Sequence, residues 1–146
     1  MKLNLQTYQA IKIMAEVHKD HLRKDGIPYI THSIAVMLQM ETEEEKQVAA
    51  MHDVFEMSNK YKFADLAMLG FSYDVIEALI LITRDKKDTY KEYIEILAQS
   101  KLAIKVKLAD LEHNLFSLTA EMDPTGSMIR KYLKARQYLQ EKEKSV

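Results

Sequence analysis

The sequence predicts an all-α protein, a bundle of six or seven helices, and three observations carry that prediction. Only three glycines and two prolines punctuate 146 residues, which favours long helices joined by short loops. Apolar residues recur at spacings of three and four, the period of a helix face. Strict alternation of apolar and polar residues, the mark of a half-buried strand, persists nowhere.

Tyr8, Ile11, Met14, Ala15 and His18 line one face of a first helix. The loop DGIPYI follows, and Pro28 ends any helix before it, because the residue preceding a proline is pushed out of the α region. Thr31 is placed to cap a short helix running through Met40. Thr42, with Glu45 three residues later, forms a capping-box pattern opening a helix to about Met57. KFADLAMLG closes at Gly70, a residue suited to a helix C-terminus. SYDVIEALILIT, Thr89 to Ala98 and Ile104 to Leu118 give three further helices. Asp123-Pro124-Thr125-Gly126 reads as a turn, and Met128 to Lys142 as a last helix with a charged end.

Composition narrows the function classes. Hydrophobic content of 47% and charged content of 29% are those of an ordinary soluble globular protein, and residues 1–146 read as one domain. A net charge of -1 supplies no general basic field for nucleic acid. The absence of cysteine rules out disulfides and thiolate zinc sites. The N-terminus MKLNLQTYQAIK lacks an apolar targeting core, and no apolar run approaches the roughly 20 residues that span a bilayer. The expectation is a cytoplasmic monomer or homodimer that acts on a small molecule, with neither nucleic acid nor membrane as partner.

The chemistry concentrates at His52-Asp53, set in the apolar run AAMHDVFEM. Neither side chain is at ease in an apolar core without a strong partner. A lone His32 stands upstream and Asp110 downstream in KLADLEHN. One divalent metal would explain all four, and two imidazoles with two carboxylates suit Mn, Fe, Co, Ni or Zn. Such an ion acidifies water and polarises a phosphoryl oxygen, and Glu56, one helical turn beyond His52, is placed to handle the proton. Asp110 and Asn114 repeat the one-turn spacing on a second helix, with His113 between them. Each residue alone has a plainer reading. His52 could be a hydrogen-bonded core histidine, Asp110 a partner of Lys107, Glu56 a solvated carboxylate, and Arg23-Lys24 a solvated loop edge. His18, His21 and His113 read as structural or surface groups.

The segments RKDGIPYITH, AAMHDVFEM, LGFSYDVIEALILITR, TYKEYIEIL and KLADLEHNL occur in that order. Together they resemble the HD-domain metal-dependent phosphohydrolases, in the branch of the Rel/Spo-type (p)ppGpp hydrolase domains and their small stand-alone relatives. The likeness runs from about residue 8 to residue 140. It implies the HD-domain helical bundle, a nucleotide substrate, and hydrolysis of a phosphate or pyrophosphate, with the 3′-pyrophosphate of (p)ppGpp as the best single choice. It implies His32, His52, Asp53 and Asp110 as ligands of a metal, most often manganese. Glu56 matches the first member of an acidic pair that activates water. Arg23, Lys24, Asn114 and Ser117 match positions that contact the nucleotide. The chain departs from the pattern at Met57, where the second acidic residue would stand, and at Leu111 and Phe116, where arginines are frequent. A nucleotide-binding regulatory module with weakened catalysis is the alternative that Met57 raises.

Overall fold

The computed structural model describes residues 2–145, so the two ends of the expected 1–146 domain lie outside the described residues. Asn4 opens the first helix by accepting from the Thr7 amide at 2.9 Å, and the chain then forms α1 (Leu5–His18) and α2 (Ile30–Leu38). Next come α3 (Glu43–Met51), α4 (Val54–Met57), α5 (Phe63–Met68) and α6 (Tyr73–Ile82). The chain closes with α7 (Tyr90–Leu97), α8 (Lys101–Ser117) and α9 (Ser127–Lys144). Among the described residues there is no strand beyond an isolated bridge between Leu22 and Pro28. The all-α bundle is therefore as expected.

The segments exceed six or seven partly because the expected helix from Thr42 to Met57 is two. The capping box at its start is present, with the Glu45 amide on Thr42 Oγ1 at 3.1 Å. The helix ends at Met51, and Asp53 sits at φ -107° and ψ 0°, in the sparsely populated bridge region between the helical and extended basins. A new turn starts there, the Met57 amide bonding the Asp53 carbonyl at 3.2 Å. Thr31 does not cap α2 as expected. It lies inside the helix, and its hydroxyl donates back to the Pro28 carbonyl at 2.7 Å. The helix expected from Ile104 starts earlier, at Lys101, because Ser100 caps it through the Ala103 amide at 3.0 Å.

α3 and α8 form the middle of the molecule. α3 packs on α1, α2, α6 and α8, and α8 packs on α2, α3, α6 and α9. Val48, Ala49, Ala50 and Met51 of α3 and Ala103, Ile104, Val106 and Leu111 of α8 are all buried in one core. Small residues in α3 let neighbouring helices approach on all sides, so whatever polar group α3 carries at its end is delivered into the interior. Of the two departures from the resembled pattern on α8, Leu111 is fully buried in this core, whereas Phe116 is exposed.

Candidate metal centre

Three separate segments converge at the C-terminal end of α3: the start of α2 with His32, the α3–α4 junction with His52 and Asp53, and α8 with Asp110. One donor atom from each of the four residues lies within 4.8 Å of all the others. His32 Nε2 is 2.7 Å from Asp110 Oδ1, and His52 Nε2 is 3.3 Å from the same oxygen. Asp53 Oδ2 is 3.0 Å from His52 Nε2 and 3.8 Å from His32 Nε2. A cation with ligand bonds of about 2.0–2.2 Å needs neighbouring ligand atoms about 3 Å apart and opposite ones a little over 4 Å apart. The observed separations fit that requirement. Two buried imidazoles and two carboxylates aimed at one point form a group able to hold a divalent metal.

The break after α3 is what brings adjacent residues to one point. On an unbroken helix His52 and Asp53 would diverge by about 100°. Here the His52 Nδ1 meets the Ala49 carbonyl at 2.6 Å, occupying an acceptor near the helix end and turning Nε2 toward the cluster. Tyr29 donates its hydroxyl to Asp53 Oδ2 at 2.5 Å. Lys107 donates to Asp110 Oδ2 at 2.7 Å, which leaves Oδ1 for the two imidazoles. Asp110 is thus paired with Lys107 and also gathered with the histidines.

Electrostatics follow from this packing. Burial raises the Asp53 carboxyl, but the neighbouring His52 charge and the hydrogen bonds from His52 and Tyr29 overcome it and hold the group at about 2. Asp110 is likewise buried, yet Lys107 and the two histidines hold it well below the usual carboxylate range. His52 is driven up by Asp53 and Asp110 against its own desolvation. Glu56 goes the other way, raised by partial loss of water despite the Arg84 amide on Oε1 at 2.7 Å. It lies past the break, so it is not simply stacked one turn above His52. It still feels the charges of Asp53, Lys107 and His52.

Arg23, Lys24, Asn114 and Ser117 come together beside this cluster, lining with Tyr29 and Tyr132 a cleft of about 230 Å³. The Arg23 guanidinium donates to Asn114 Oδ1 at 3.3 Å and to Ser117 Oγ at 3.2 Å. Asn114 Nδ2 in turn donates to Asp110 Oδ1 at 3.3 Å, joining cleft to cluster. A larger concavity of about 840 Å³ lies elsewhere, at the N-terminal ends of α3 and α8. Its charged lining sets Glu43, Glu44, Glu45, Asp74, Glu77 and Glu143 against Lys101 and Lys105, a negative excess that disfavours an anionic substrate.

The sequence reading does not single out Tyr29, and it names Lys107 only as a possible partner of Asp110 and His113 only as a structural or surface group. His113 Nδ1 meets His32 Nδ1 at 2.7 Å, so it is no mere surface group. The signal was present in the spacing. Asp110, His113, Asn114 and Ser117 share one face of α8, and Tyr29 is one turn before His32. No helix among the described residues is long and apolar enough to cross a membrane.

No family model matches the chain. Among curated proteins it is similar to the bifunctional (p)ppGpp synthase/hydrolase SpoT of Escherichia coli K12, with 31% identity over 125 residues, 75% of this chain. The guanosine-3′,5′-bis(diphosphate) 3′-pyrophosphohydrolase of Shigella flexneri is similar to the same degree. The chain spans 18% of the length of each of these relatives. Among solved structures it is similar to a metazoan ortholog of SpoT that hydrolyses ppGpp, with a TM-score of 0.74 and 23% identity, covering 99% of this chain and 95% of that one. The fold, the order of the motifs and these likenesses agree: the chain is a Rel/Spo-type HD domain.

Proposed function

We propose that this chain is a divalent-metal-dependent phosphohydrolase that removes the 3′-pyrophosphate from (p)ppGpp in the cytoplasm. The observation that carries the reading is the convergence of His32, His52, Asp53 and Asp110, with donor atoms within 4.8 Å of one another beside a basic cleft. In this reading those four residues would hold the metal, a first-row divalent ion suited to a mixed imidazole and carboxylate set, with manganese the one that the Rel/Spo-type resemblance implies. A metal held there would supply Lewis acidity, which polarises a phosphoryl oxygen and acidifies water.

The chain's own groups do the rest. Arg23 and Lys24 neutralise the phosphates, and Asn114 and Ser117, which already hold the Arg23 guanidinium, fix its position and offer further polar contacts to the nucleotide. Glu56 takes the proton of the attacking water, and its raised pKa makes it the stronger base. The water oxygen bonds to the phosphorus attached to the 3′ oxygen, that P–O bond breaks, and the 3′ oxygen leaves with a proton as pyrophosphate is released. Met57 leaves Glu56 without an acidic neighbour in sequence, which favours a second reading, a nucleotide-binding regulatory module.

Incubation of the purified protein with manganese and ppGpp, followed by chromatography of the products, tests the proposal. Release of GDP and pyrophosphate is expected. Asp53→Ala should lower the rate by about a hundredfold or more, the loss of several kcal/mol of charge stabilisation. Tight binding of ppGpp without product would establish the regulatory reading in its place.

A further inference from the structure

His113 lies beside the cluster without being counted among its four donors, and its contacts define its role. Its Nδ1 lies 2.7 Å from His32 Nδ1 and 3.4 Å from an Arg23 nitrogen. A guanidinium only donates, so the Nδ1 of His113 that faces it must be the acceptor. The same lone pair then receives the proton on His32 Nδ1, in a three-centre arrangement with the shorter bond to His32. With Nδ1 engaged by His113, Nε2 is the His32 nitrogen turned toward Asp110 Oδ1 at 2.7 Å and Asp53 Oδ2 at 3.8 Å, where a cation would displace any proton it shares with the carboxylates. The two rings also pack, with centroids 4.9 Å apart.

We propose that His113 is a positioning residue: it fixes the tautomer and ring orientation of His32, so that Nε2 is presented as a metal donor, with Arg23 setting the direction of the bond. This inference rests on the reading of His32 as a metal ligand. Outer partners of metal-bound imidazoles commonly affect affinity by about 10–100-fold, and the helix register supplies His113 one turn from Asp110 and opposite α2. A carbonyl or carboxylate usually fills this role. Here a second imidazole does so, and it also touches the basic cleft.

The test is a titration of metal-free protein with Mn2+, the free ion followed by electron paramagnetic resonance. His113→Phe keeps ring volume and removes the acceptor, and it should weaken Mn2+ binding by about 10–100-fold. His113→Asn carries Oδ1 where Nδ1 stood and should keep affinity within a few-fold of wild type. Nitrogen-15 spectra of labelled histidine with diamagnetic Zn2+ in place of Mn2+ read the tautomer directly: His32 should carry its proton on Nδ1 in the wild type and in His113→Asn. Undiminished affinity in His113→Phe, equal losses in both variants, or a wild-type His32 protonated on Nε2 alone would overturn the inference. A wild type that binds no Mn2+ would remove the metal reading with it, whereas binding that ignores residue 113 removes this inference alone. Should His113→Phe fail to fold, the asparagine variant and the tautomer spectrum still decide it.

Discussion

The two helices that deliver the carboxylates solve one problem in opposite ways. α3 breaks and α8 does not. At the end of α3 the residues needed are adjacent, and a straight helix would point them about 100° apart. The chain leaves the helix at Met51, passes Asp53 through the bridge region and starts again at Val54. α8 runs 17 residues without interruption and uses its period instead, with Lys107, Asp110, Asn114 and Ser117 spaced by three and four. Irregular backbone is thus confined to the place where two neighbours must face one point, and the regular helix supports the network around them.

The largest test of this contrast is the stability of two alanine variants in the presence of a chelator. Asp110 is buried and is the counter-ion of Lys107, itself only 12% exposed. Its removal leaves an ammonium and two imidazoles without a common acceptor, so Asp110→Ala should lose about 3–5 kcal/mol. Asp53 is 17% exposed and stands at a junction already outside the helix. Asp53→Ala should lose only about 1.5–3 kcal/mol, the worth of a hydrogen bond to a charged group. Urea unfolding measures both, and equal losses would show that the junction is as deeply committed to the fold as α8 is.

The pH dependence of the metal-free protein sharpens the comparison. Asp53, held at about 2, and Asp110, held lower than usual, bind fewer protons folded than unfolded. Their contribution is therefore present above the ordinary carboxylate range and lost as pH falls through it toward 2. His52 has the opposite sign. Raised in the folded state by its carboxylate neighbours, it contributes most below its unfolded value of about 6.5, and that contribution fades as pH rises through the folded value. Buried His18, lowered to about 4, adds to the acid loss between its unfolded value and 4. Asp53→Asn should flatten the acid limb by on the order of 2 kcal/mol and also shorten the alkaline one, because Asp53 is among the groups that raise His52. Stability followed from pH 3 to 10 in EDTA checks this, and an unchanged alkaline limb would locate the origin of the His52 shift wholly at Asp110.

The sequence made α8 more legible than α3. A periodic pattern on a straight helix can be read by counting, which is why Asp110 and Asn114 were placed on one edge of it. The break at His52-Asp53 has no glycine or proline to announce it, so the run from Thr42 to Met57 read as one helix. Tyr29 is not legible, and Lys107 is legible only as a possible partner of Asp110, for a related reason. Each looks like an ordinary loop or helix residue until tertiary packing sets its hydroxyl or ammonium against a carboxylate. Thr31 matched a capping preference that α2 did not need, since its amides find the Pro28 and Tyr29 carbonyls. The four proposed ligands were legible because apolar surroundings made them conspicuous. Their spacing along the chain said nothing about the distances between them.

The smallest effect lies at the opposite ends of the same two helices. Thr42 caps α3 with a complete capping box, but the site is exposed, so water can replace the lost acceptor at the Glu45 amide. Ser100 caps α8 from a buried position, and the Ala103 amide it satisfies has no such substitute. Loss of an N-cap costs about 0.5–2 kcal/mol. Thr42→Ala should fall near the lower figure and Ser100→Ala near the upper, because an orphaned buried donor retains its desolvation penalty. Thermal unfolding of the two variants ranks them. The reverse order would mean that α3, enclosed on all sides by other helices, depends on its first turn more than burial alone implies.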